Sequence, residues 1–194
     1  MPKNELNERR EEMEALVEEV KKGDQNAFSE LYEILVGPIY RYVFYRVNDQ
    51  DAEDIVENVF VKVWLNIRKY RRRKKQYFSA WVFRIAHNLV VDYYRTASKR
   101  QTDELHELVA DDRREHNPIK NTEQTIQHAN LRKALKVLKK PYQDVVIYKF
   151  INGMENFEIA QIMKRSEGSV RILQFRALKA LKAELKHLGI KYHF

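Results

Sequence analysis

Side chains suited to unpaired nucleic acid recur at helical spacing in FSAWVFRIAHNLVVDYYRTASKR, residues 78–100. Read as a helix, this segment places Arg84 and Asn88 four positions apart on one polar face. A solvated face would normally be rich in lysine and glutamate, whereas this one offers a forked cation and an amide, with Tyr93 and Tyr94 further along. Such groups hydrogen-bond and stack on exposed bases and phosphates. The segment therefore predicts contact with single-stranded nucleic acid.

A second pattern, ENFEIAQIMKRSEGSVRILQFRALKAL at residues 155–181, fits a helix-turn-helix. Lys164 to Ser166 form the short turn, Ser166 caps the second helix, and small Ala160 permits close helix approach. The plainer alternative is an amphipathic hairpin with a solvated basic face, and Phe175 could instead pack on the preceding helix. The outward face of the second helix suits base edges, thymine methyl groups and phosphates; it carries Arg171, Ile172, Phe175, Arg176, Lys179 and Lys182.

The third pattern is the acidic segment DAEDIVENVFVKVW, residues 51–64. Its helical periodicity predicts a buried stripe of Ala52, Val56, Val59, Val63 and Ile67. A neighbouring face combines acids with large aromatic side chains, which can dock against a basic protein surface; it carries Glu53, Glu57, Phe60 and Trp64. The alternative is that both aromatic side chains belong to the core.

The elements that must position these patterns are all predicted to be helical, because only 5 glycines and 4 prolines interrupt the chain. We expect two small helical domains joined by an acidic flexible linker, where apolar periodicity is lost. Gly37-Pro38 predicts a break between two helices. The predicted domains are residues 1–97 and 129–194, with the linker at 98–128; the predicted helices of the first domain cover 4–22, 25–35, 39–47, 51–69 and 78–97.

Charge is strongly segregated along the chain. Residues 62–100 hold 12 basic and 1 acidic residue, and residues 131–194 hold 14 and 5. Residues 1–61 hold 7 basic and 15 acidic residues, and residues 101–130 hold 3 and 7. The two basic segments indicate nucleic-acid binding. The acidic first segment indicates either a second partner or a solvated helix surface.

Several function classes are disfavoured by composition. The chain has no cysteine, so it forms no disulfides or thiolate metal sites. We see no apolar run of the roughly 20 residues that span a bilayer and no signal-peptide core, and we expect a cytoplasmic protein without membrane insertion. None of its 6 histidines has a metal-motif spacing, and His87 is expected to be structural or groove-lining. We therefore expect no enzymatic activity, no metal and no cofactor.

In their order and spacing, the three patterns together resemble a bacterial RNA polymerase sigma factor of the extracytoplasmic-function (ECF) group of the sigma-70 family. The resemblance runs from near Gly23 to about Leu188. Two positions in the acidic helix depart from the family pattern. This chain has Glu57 where the family usually has glutamine, and Asn58 where the family often has glutamate. Further departures lie at Asn156, Phe157 and Ser169.

The resemblance implies a sigma-two-like and then a sigma-four-like domain, with core RNA polymerase, its flap region, promoter DNA and an anti-sigma factor as partners. The acidic helix would dock on the clamp helices of the largest polymerase subunit through Asp51, Glu53, Asp54, Glu57, Phe60 and Trp64. Asn88 would lie near a flipped base of the minus-ten element. The other implied minus-ten contacts are Arg71, Arg72, Arg73, Lys74, Lys75, Arg84, Tyr93, Arg95, Lys99 and Arg100. The implied minus-thirty-five contacts are Ser169, Arg171, Ile172, Phe175, Arg176, Lys179 and Lys182.

The main alternative is a two-domain transcriptional regulator with a carboxy-terminal helix-turn-helix. It shares the prediction of DNA binding but leaves the acidic helix and the polar face around Asn88 unexplained. Binding to core RNA polymerase separates the two interpretations.

Overall fold

A computed structural model of the chain describes residues 9–72, 76–103 and 123–190, and the predicted all-α class is confirmed for these residues. Side chains are described for all of them except 98–103 and 123–127. The helices are α1 (Arg10–Lys22), α2 (Gln25–Phe44), α3 (Asp49–Asn66), α4 (Phe78–Asp103), α5 (Glu123–Val137), α6 (Lys140–Val146), α7 (Asn156–Met163) and α8 (Glu167–His187). A 3₁₀ turn, Ile67–Lys69, extends α3, and a π-helical turn, Ile147–Ile151, extends α6.

Helix α2 runs through Gly37-Pro38, so the predicted break at this dipeptide is wrong. Proline removes one main-chain donor and crowds the Cβ of the residue before it. Here that residue is glycine, which has no Cβ, so the crowding is small. Leu35 and Ile39 are fully buried on either side of the proline. Their packing holds both halves in one helix, since tertiary contacts supply most helix stability.

Helix α3 buries its predicted apolar stripe. Ala52, Val56, Val59, Val63 and Ile67 are all buried, which confirms the interpretation of that periodicity. The helix begins at Asp49, two residues earlier than predicted, with Asn48 in the N-cap position. Because the apolar stripe is buried, the acidic side of α3 faces solvent.

A buried carboxylate fixes the start of α4. Glu14 of α1 accepts hydrogen bonds from the main-chain N–H of Phe78 at 2.7 Å and from the Tyr70 hydroxyl at 3.0 Å. Burial raises the pKa of the Glu14 carboxyl, and these two donors oppose the rise. An acceptor at the first helical N–H also satisfies a donor that the helix itself leaves open. Helix α4 is thereby held against α1.

The helix-turn-helix is present as predicted. Ser166 caps α8 by accepting from the main-chain N–H of Ser169 at 3.2 Å. Lys164 ends α7 in the left-handed region, with φ of 54°. A capping box joins Glu155 and Glu158 at the start of α7. The apolar sides of α7 and α8 face each other, with Ile159, Ala160, Ile162, Val170, Ala177 and Leu181 buried and Leu173 packed against them.

Both ends of the predicted linker are helical. Residues 98–103 continue α4, and residues 123–128 begin α5. Residues 104–122 lie outside the described residues. The helices on either side of this gap pack against each other: α4 contacts α7, and α2 contacts the π-helical turn.

Candidate nucleic-acid and protein interfaces

The polar face of α4 is only partly free. Asn88 is exposed, and Arg95 is exposed with an ion pair of 3.1 Å to Asp92. Arg84, in contrast, donates a hydrogen bond of 2.7 Å to the main-chain carbonyl of Gln161 on α7. A ligand of this face would meet Asn88 and Arg95 directly, whereas Arg84 is partly buried and already has a partner on α7.

Tyr93 connects the polar face of α4 with the acidic helix α3. Its hydroxyl donates to a carboxylate oxygen of Asp51 at 2.7 Å. Burial and the Asp51 carboxylate raise the pKa of Tyr93 to about 12, so the hydroxyl stays protonated near neutral pH. The edge of the Tyr93 ring meets Tyr94 in a T-shaped contact, with centroids 5.4 Å apart. Tyr93 is therefore held in place before any ligand arrives.

The basic loop before α4 is described only at its start. Arg71 donates to the main-chain carbonyls of Arg68 and Tyr70. Arg72 makes a bidentate pair with Glu11, both bonds 2.8 Å long, and this pairing lowers the pKa of the Glu11 carboxyl. Phosphate would have to compete with Glu11 for this guanidinium. Arg73, Lys74 and Lys75 lie outside the described residues, as do the side chains of Lys99 and Arg100.

The predicted protein-docking side of α3 is solvent-facing. Its acids Glu53, Asp54 and Glu57 are exposed. The two aromatic side chains differ, because Phe60 is only 7% exposed whereas Trp64 is 45% exposed. Phe60 therefore belongs to the core, whereas Trp64 lies at the surface.

Neighbouring apolar residues on this side of the molecule escaped the sequence analysis. The rings of Trp64 and Phe28 of α2 meet in an edge contact, with centroids 4.8 Å apart. The ring centroids of Tyr32 and Phe60 are 4.6 Å apart. Val61 and Leu65 are also exposed. Exposed apolar residues beside acids suit a protein partner better than a nucleic acid. Periodicity alone could not reveal this surface, because Phe28 and Tyr32 of α2 contribute to it.

The outward face of α8 is free along its length. Phe175 is 72% exposed and Ile172 is exposed beside it, so Phe175 does not pack on the preceding helix. Arg171 has only a loose contact of 3.9 Å with Glu167, while Ser169 is partly buried. Arg176, Lys179 and Lys182 are exposed as well. Gln174, in contrast, donates to Asn156 at 2.8 Å.

Among the described residues, every helix is either too short or too polar to span a bilayer. The same residues contain no cluster of three or more histidine or carboxylate side chains that could hold a metal ion.

Two family models match the chain. The model of Sigma-70 region 2 matches residues 31–100, which include α3 and most of α4. The model of Sigma-70, region 4 matches residues 128–181, which include the helix-turn-helix.

Curated relatives resemble the chain over most of its length. The ECF RNA polymerase sigma factor SigW of Bacillus subtilis is 31% identical over 188 residues, covering 89% of this chain and 96% of that protein. The ECF RNA polymerase sigma factor BldN of Streptomyces coelicolor is 30% identical over 170 residues. That match covers 87% of this chain, and the chain spans 64% of the length of BldN.

A solved structure supports the fold alone. The sigma factor RpoE of Bartonella quintana, in complex with the anti-sigma factor NepR, superposes with a TM-score of 0.67 and 18% identity. The match covers 82% of this chain and 96% of the other.

Proposed function

The chain belongs to the ECF RNA polymerase sigma factors, and on that premise we propose that it directs core RNA polymerase to specific promoters and promotes their melting. We further propose that it serves as an alternative sigma factor, used in response to a stress or signal. The observation that carries the proposal is the pairing of two exposed faces in one chain. One is the acidic side of α3, and the other is the basic and apolar side of α8.

Polymerase docking is assigned to α3. The exposed acids Glu53, Asp54 and Glu57 supply charge, and Trp64 supplies apolar area beside them. Phe60 supports the surface from beneath, and Asp51 is held by Tyr93. Charged rims steer association while buried aromatic anchors provide most of the affinity. The clamp helices of the largest polymerase subunit are the proposed binding site.

Recognition of the minus-ten element is assigned to α4 and the basic loop before it. Melting costs about 1.4 kcal/mol per base-pair step. Stacking of an extruded base on an aromatic ring returns roughly 1–3 kcal/mol. Asn88, exposed at the centre of the polar face, is the proposed contact of the captured base. The cations of residues 71–75, with Arg84, Arg95, Lys99 and Arg100, are the proposed phosphate contacts.

Recognition of the minus-thirty-five element is assigned to α8 in the major groove. Ile172 and Phe175 face outward among cations, where thymine methyl groups would cover them. Arg171 and Arg176 are the proposed base or phosphate contacts, and Lys179 and Lys182 are further along the helix. Ser169 lies at the start of α8, close to where a helix N-terminus meets phosphate.

The remaining partners are also proposals. The exposed Val61 and Leu65 extend the apolar surface around Trp64, which would suit the polymerase or an anti-sigma factor. The carboxy-terminal domain is proposed to contact the flap region of the polymerase. We assign no catalytic residue and no cofactor to this chain, which would act in the cytoplasm while the polymerase performs the chemistry.

Reconstitution with core RNA polymerase tests the proposal. Core enzyme plus this chain is expected to transcribe a subset of genomic promoter fragments that core enzyme alone does not transcribe. Sequencing the transcript starts would then reveal the promoter consensus. If the chain binds DNA but not core enzyme, the two-domain regulator is the better interpretation.

A further inference from the structure

One side chain of α1 joins both ends of the basic loop before α4. Tyr70 precedes this loop and Phe78 follows it as the first residue of α4. Oε1 of Glu14 accepts a hydrogen bond of 2.7 Å from the main-chain N–H of Phe78 and one of 3.0 Å from the Tyr70 hydroxyl. That hydroxyl also lies 3.5 Å from the main-chain carbonyl oxygen of Gln76. The two ends of the loop are thus held together by one carboxylate.

The burial of Glu14 needs an explanation beyond the packing of α1. Five side chains of this helix are buried, of which Met13, Leu16, Val17 and Val20 are apolar and the fifth is Glu14, 7% exposed. Taking a carboxylate out of water costs free energy that an apolar side chain would not cost, unless donors inside the protein replace the lost water. The two donors at the ends of the loop are these replacements. The charge at this position therefore serves the loop rather than the helix.

Aromatic rings complete the base of the loop. The Tyr70 ring meets that of Phe78 in a T-shaped contact with centroids 5.3 Å apart, and its centroid lies 5.4 Å from that of Trp81. The rings of Phe78 and Trp81 stack at 5.4 Å. Burial and the Glu14 carboxylate raise the pKa of Tyr70, so its hydroxyl remains a donor near neutral pH. Together these side chains form the loop anchor, defined here as Glu14, Tyr70, Phe78 and Trp81.

Other side chains of α1 hold residues of the loop itself, on both sides of positions 73–75, which lie outside the described residues. Glu11 makes its bidentate pair with Arg72 at 2.8 Å. The guanidinium of Arg10 lies 4.8 Å from the centre of the Tyr77 ring, and that of Arg72 lies 5.4 Å from it. The pair of Glu11 with Arg72 is exposed and screened by salt. The buried carboxylate of the loop anchor is therefore the stronger restraint.

Helix α1 lies outside the segment that the Sigma-70 region 2 model matches. That match begins at residue 31, whereas α1 covers Arg10–Lys22. The loop that α1 holds, in contrast, lies within the matched residues. The contacts of α1 therefore add an element to the proposed minus-ten surface that the matched segment does not contain.

We propose that Glu14 is a positioning residue for recognition of the minus-ten element, because it fixes both ends of the basic loop and so sets where the loop meets DNA. This role rests on the proposed function, whereas the loop anchor itself does not. A loop with fixed ends loses less conformational freedom when it binds than a loose one does. Without the carboxylate the loop keeps its cations, so discrimination between sequences should fall more than attraction to DNA.

Trypsin tests the loop anchor without reference to function. Trypsin cleaves after arginine and lysine, and cleavage inside a folded chain reports how often the segment opens locally. In short digestions of the full chain, Glu14→Ala is expected to raise the rate of cleavage after Arg71 and Arg72 on the order of tenfold, because two donors lose their acceptor. Mass spectrometry gives the rate at each position. Cleavage after Lys186, in the last turn of α8, is the internal reference and should not change.

Three further variants sharpen this experiment. Glu14→Gln keeps an acceptor oxygen in a side chain of the same shape and is expected to stay within about threefold of the parent. Tyr70→Phe removes one donor and keeps the ring, and its effect should not multiply with that of Glu14→Ala in the double variant, since both remove the same bond. Glu19→Ala, at an exposed position of α1, is the matched control. Far-UV circular dichroism must show intact helices in each variant.

Promoter discrimination tests the positioning role. Core polymerase with each variant is offered a promoter that it transcribes and copies with single substitutions in the minus-ten element. Glu14→Ala is expected to reduce the preference for the original sequence by roughly threefold to tenfold, and Glu14→Gln should restore most of it. Affinity for core polymerase and for a minus-thirty-five duplex should stay within about twofold of the parent. A merely structural role would lower all three quantities together.

The outcomes distinguish the anchor, the positioning role and the proposed function. Unchanged cleavage after Arg71 and Arg72 in Glu14→Ala, with intact helices, would overturn the loop anchor. Faster cleavage in a variant that initiates with the discrimination of the parent would overturn the role of Glu14 in recognition. If the parent chain itself does not support initiation, the proposed function fails, while the trypsin result still decides whether Glu14 holds the loop.

Discussion

The hydroxyl of Tyr93 on α4 donates a 2.7 Å hydrogen bond to Asp51 on α3, which joins the proposed DNA-binding face to the proposed polymerase-docking helix. The two faces were predicted from separate sequence patterns, yet their residues are in direct contact. Asn48 also reaches the Tyr93 hydroxyl at 3.5 Å. The proposed polymerase binding at α3 and the proposed strand capture at α4 therefore share this hydrogen bond.

Tyr93→Phe tests what the hydroxyl contributes. Loss of one hydrogen bond to a carboxylate is expected to cost about 1.5–3 kcal/mol of unfolding free energy at most, and less here because the pair is partly exposed. The ring remains available for stacking, so open-complex formation should be largely kept. Urea denaturation measures the stability, and permanganate footprinting measures the open complex. Tyr93→Ala is the comparison, and a defect of equal size in both variants would place the hydroxyl itself on DNA.

Asp54→Lys tests the docking surface. Reversing an exposed charge on α3 is expected to weaken binding to core polymerase by about tenfold at low salt, with a smaller effect as salt screens the interaction. Glu30→Lys is the matched control, because Glu30 is also exposed but lies on α2. Fluorescence anisotropy of the labelled chain gives both affinities. Equal losses in the two variants would indicate a general charge effect instead of a docking face.

Asn88→Ala tests base capture. The side chain is exposed, so its removal should leave the fold and polymerase affinity intact. Open-complex formation is expected to fall by roughly 0.5–1.5 kcal/mol, about twofold to tenfold, through loss of hydrogen bonds to the captured base. Thr96→Ala, an exposed substitution further along α4, is the control. The role of Asn88 is refuted if polymerase binding falls in step with the open complex.

Much of the local structure followed from residue patterns, because burial on a helix repeats with the helix period. The stripe from Ala52 to Ile67 is buried as expected, and Ser166 caps α8. Phe175 faces outward, as its place opposite the apolar stripe of α8 predicted. These are properties of single helices, which a sequence window contains in full.

The contacts between the halves could not be predicted in this way. Arg46 and Asp144 lie far apart in the chain, and each reads as an ordinary surface charge in its own window. Only the contact between the two halves of the chain buries them together, with Nε of Arg46 3.0 Å from Oδ1 of Asp144. The same limit explains the error at Gly37-Pro38, where burial of Leu35 and Ile39 outweighs a local signal for a break. Likewise, the residues around Arg84 gave no indication that it would donate a hydrogen bond to a main-chain carbonyl of α7.

Phe175→Ala tests readout of the minus-thirty-five element. Because the ring is 72% exposed, truncation should change stability by less than about 0.5 kcal/mol. Affinity for the cognate duplex is expected to fall by roughly 1–3 kcal/mol, with the loss concentrated at one thymine position. Lys186→Ala, an exposed cation in the last turn of α8, serves as the control. An equal loss on every duplex sequence would assign Phe175 a role other than base recognition.

The last prediction concerns pH. Burial lowers the pKa of His87 below its ordinary value of 6.5, with Asp144 opposing the shift and Arg46 and Lys164 reinforcing it. Tyr42 and Tyr148 also face the ring. The folded chain thus binds the proton at His87 less readily than the unfolded chain does. The stabilisation of the fold by neutral His87 is present above the ordinary value and is lost as pH falls through the lowered one.

The free energy of unfolding, measured by urea denaturation, is therefore expected to decrease as the pH is lowered from about 8 to about 5. Burial raises the pKa of the Asp144 carboxyl, and its protonation acts in the opposite sense, so the comparison must isolate His87. His87→Gln keeps a neutral hydrogen-bonding group beside Tyr42 and Tyr148, so it should flatten the pH profile while retaining stability near pH 8. Superimposable profiles for the parent chain and His87→Gln would show that this histidine does not control the pH dependence.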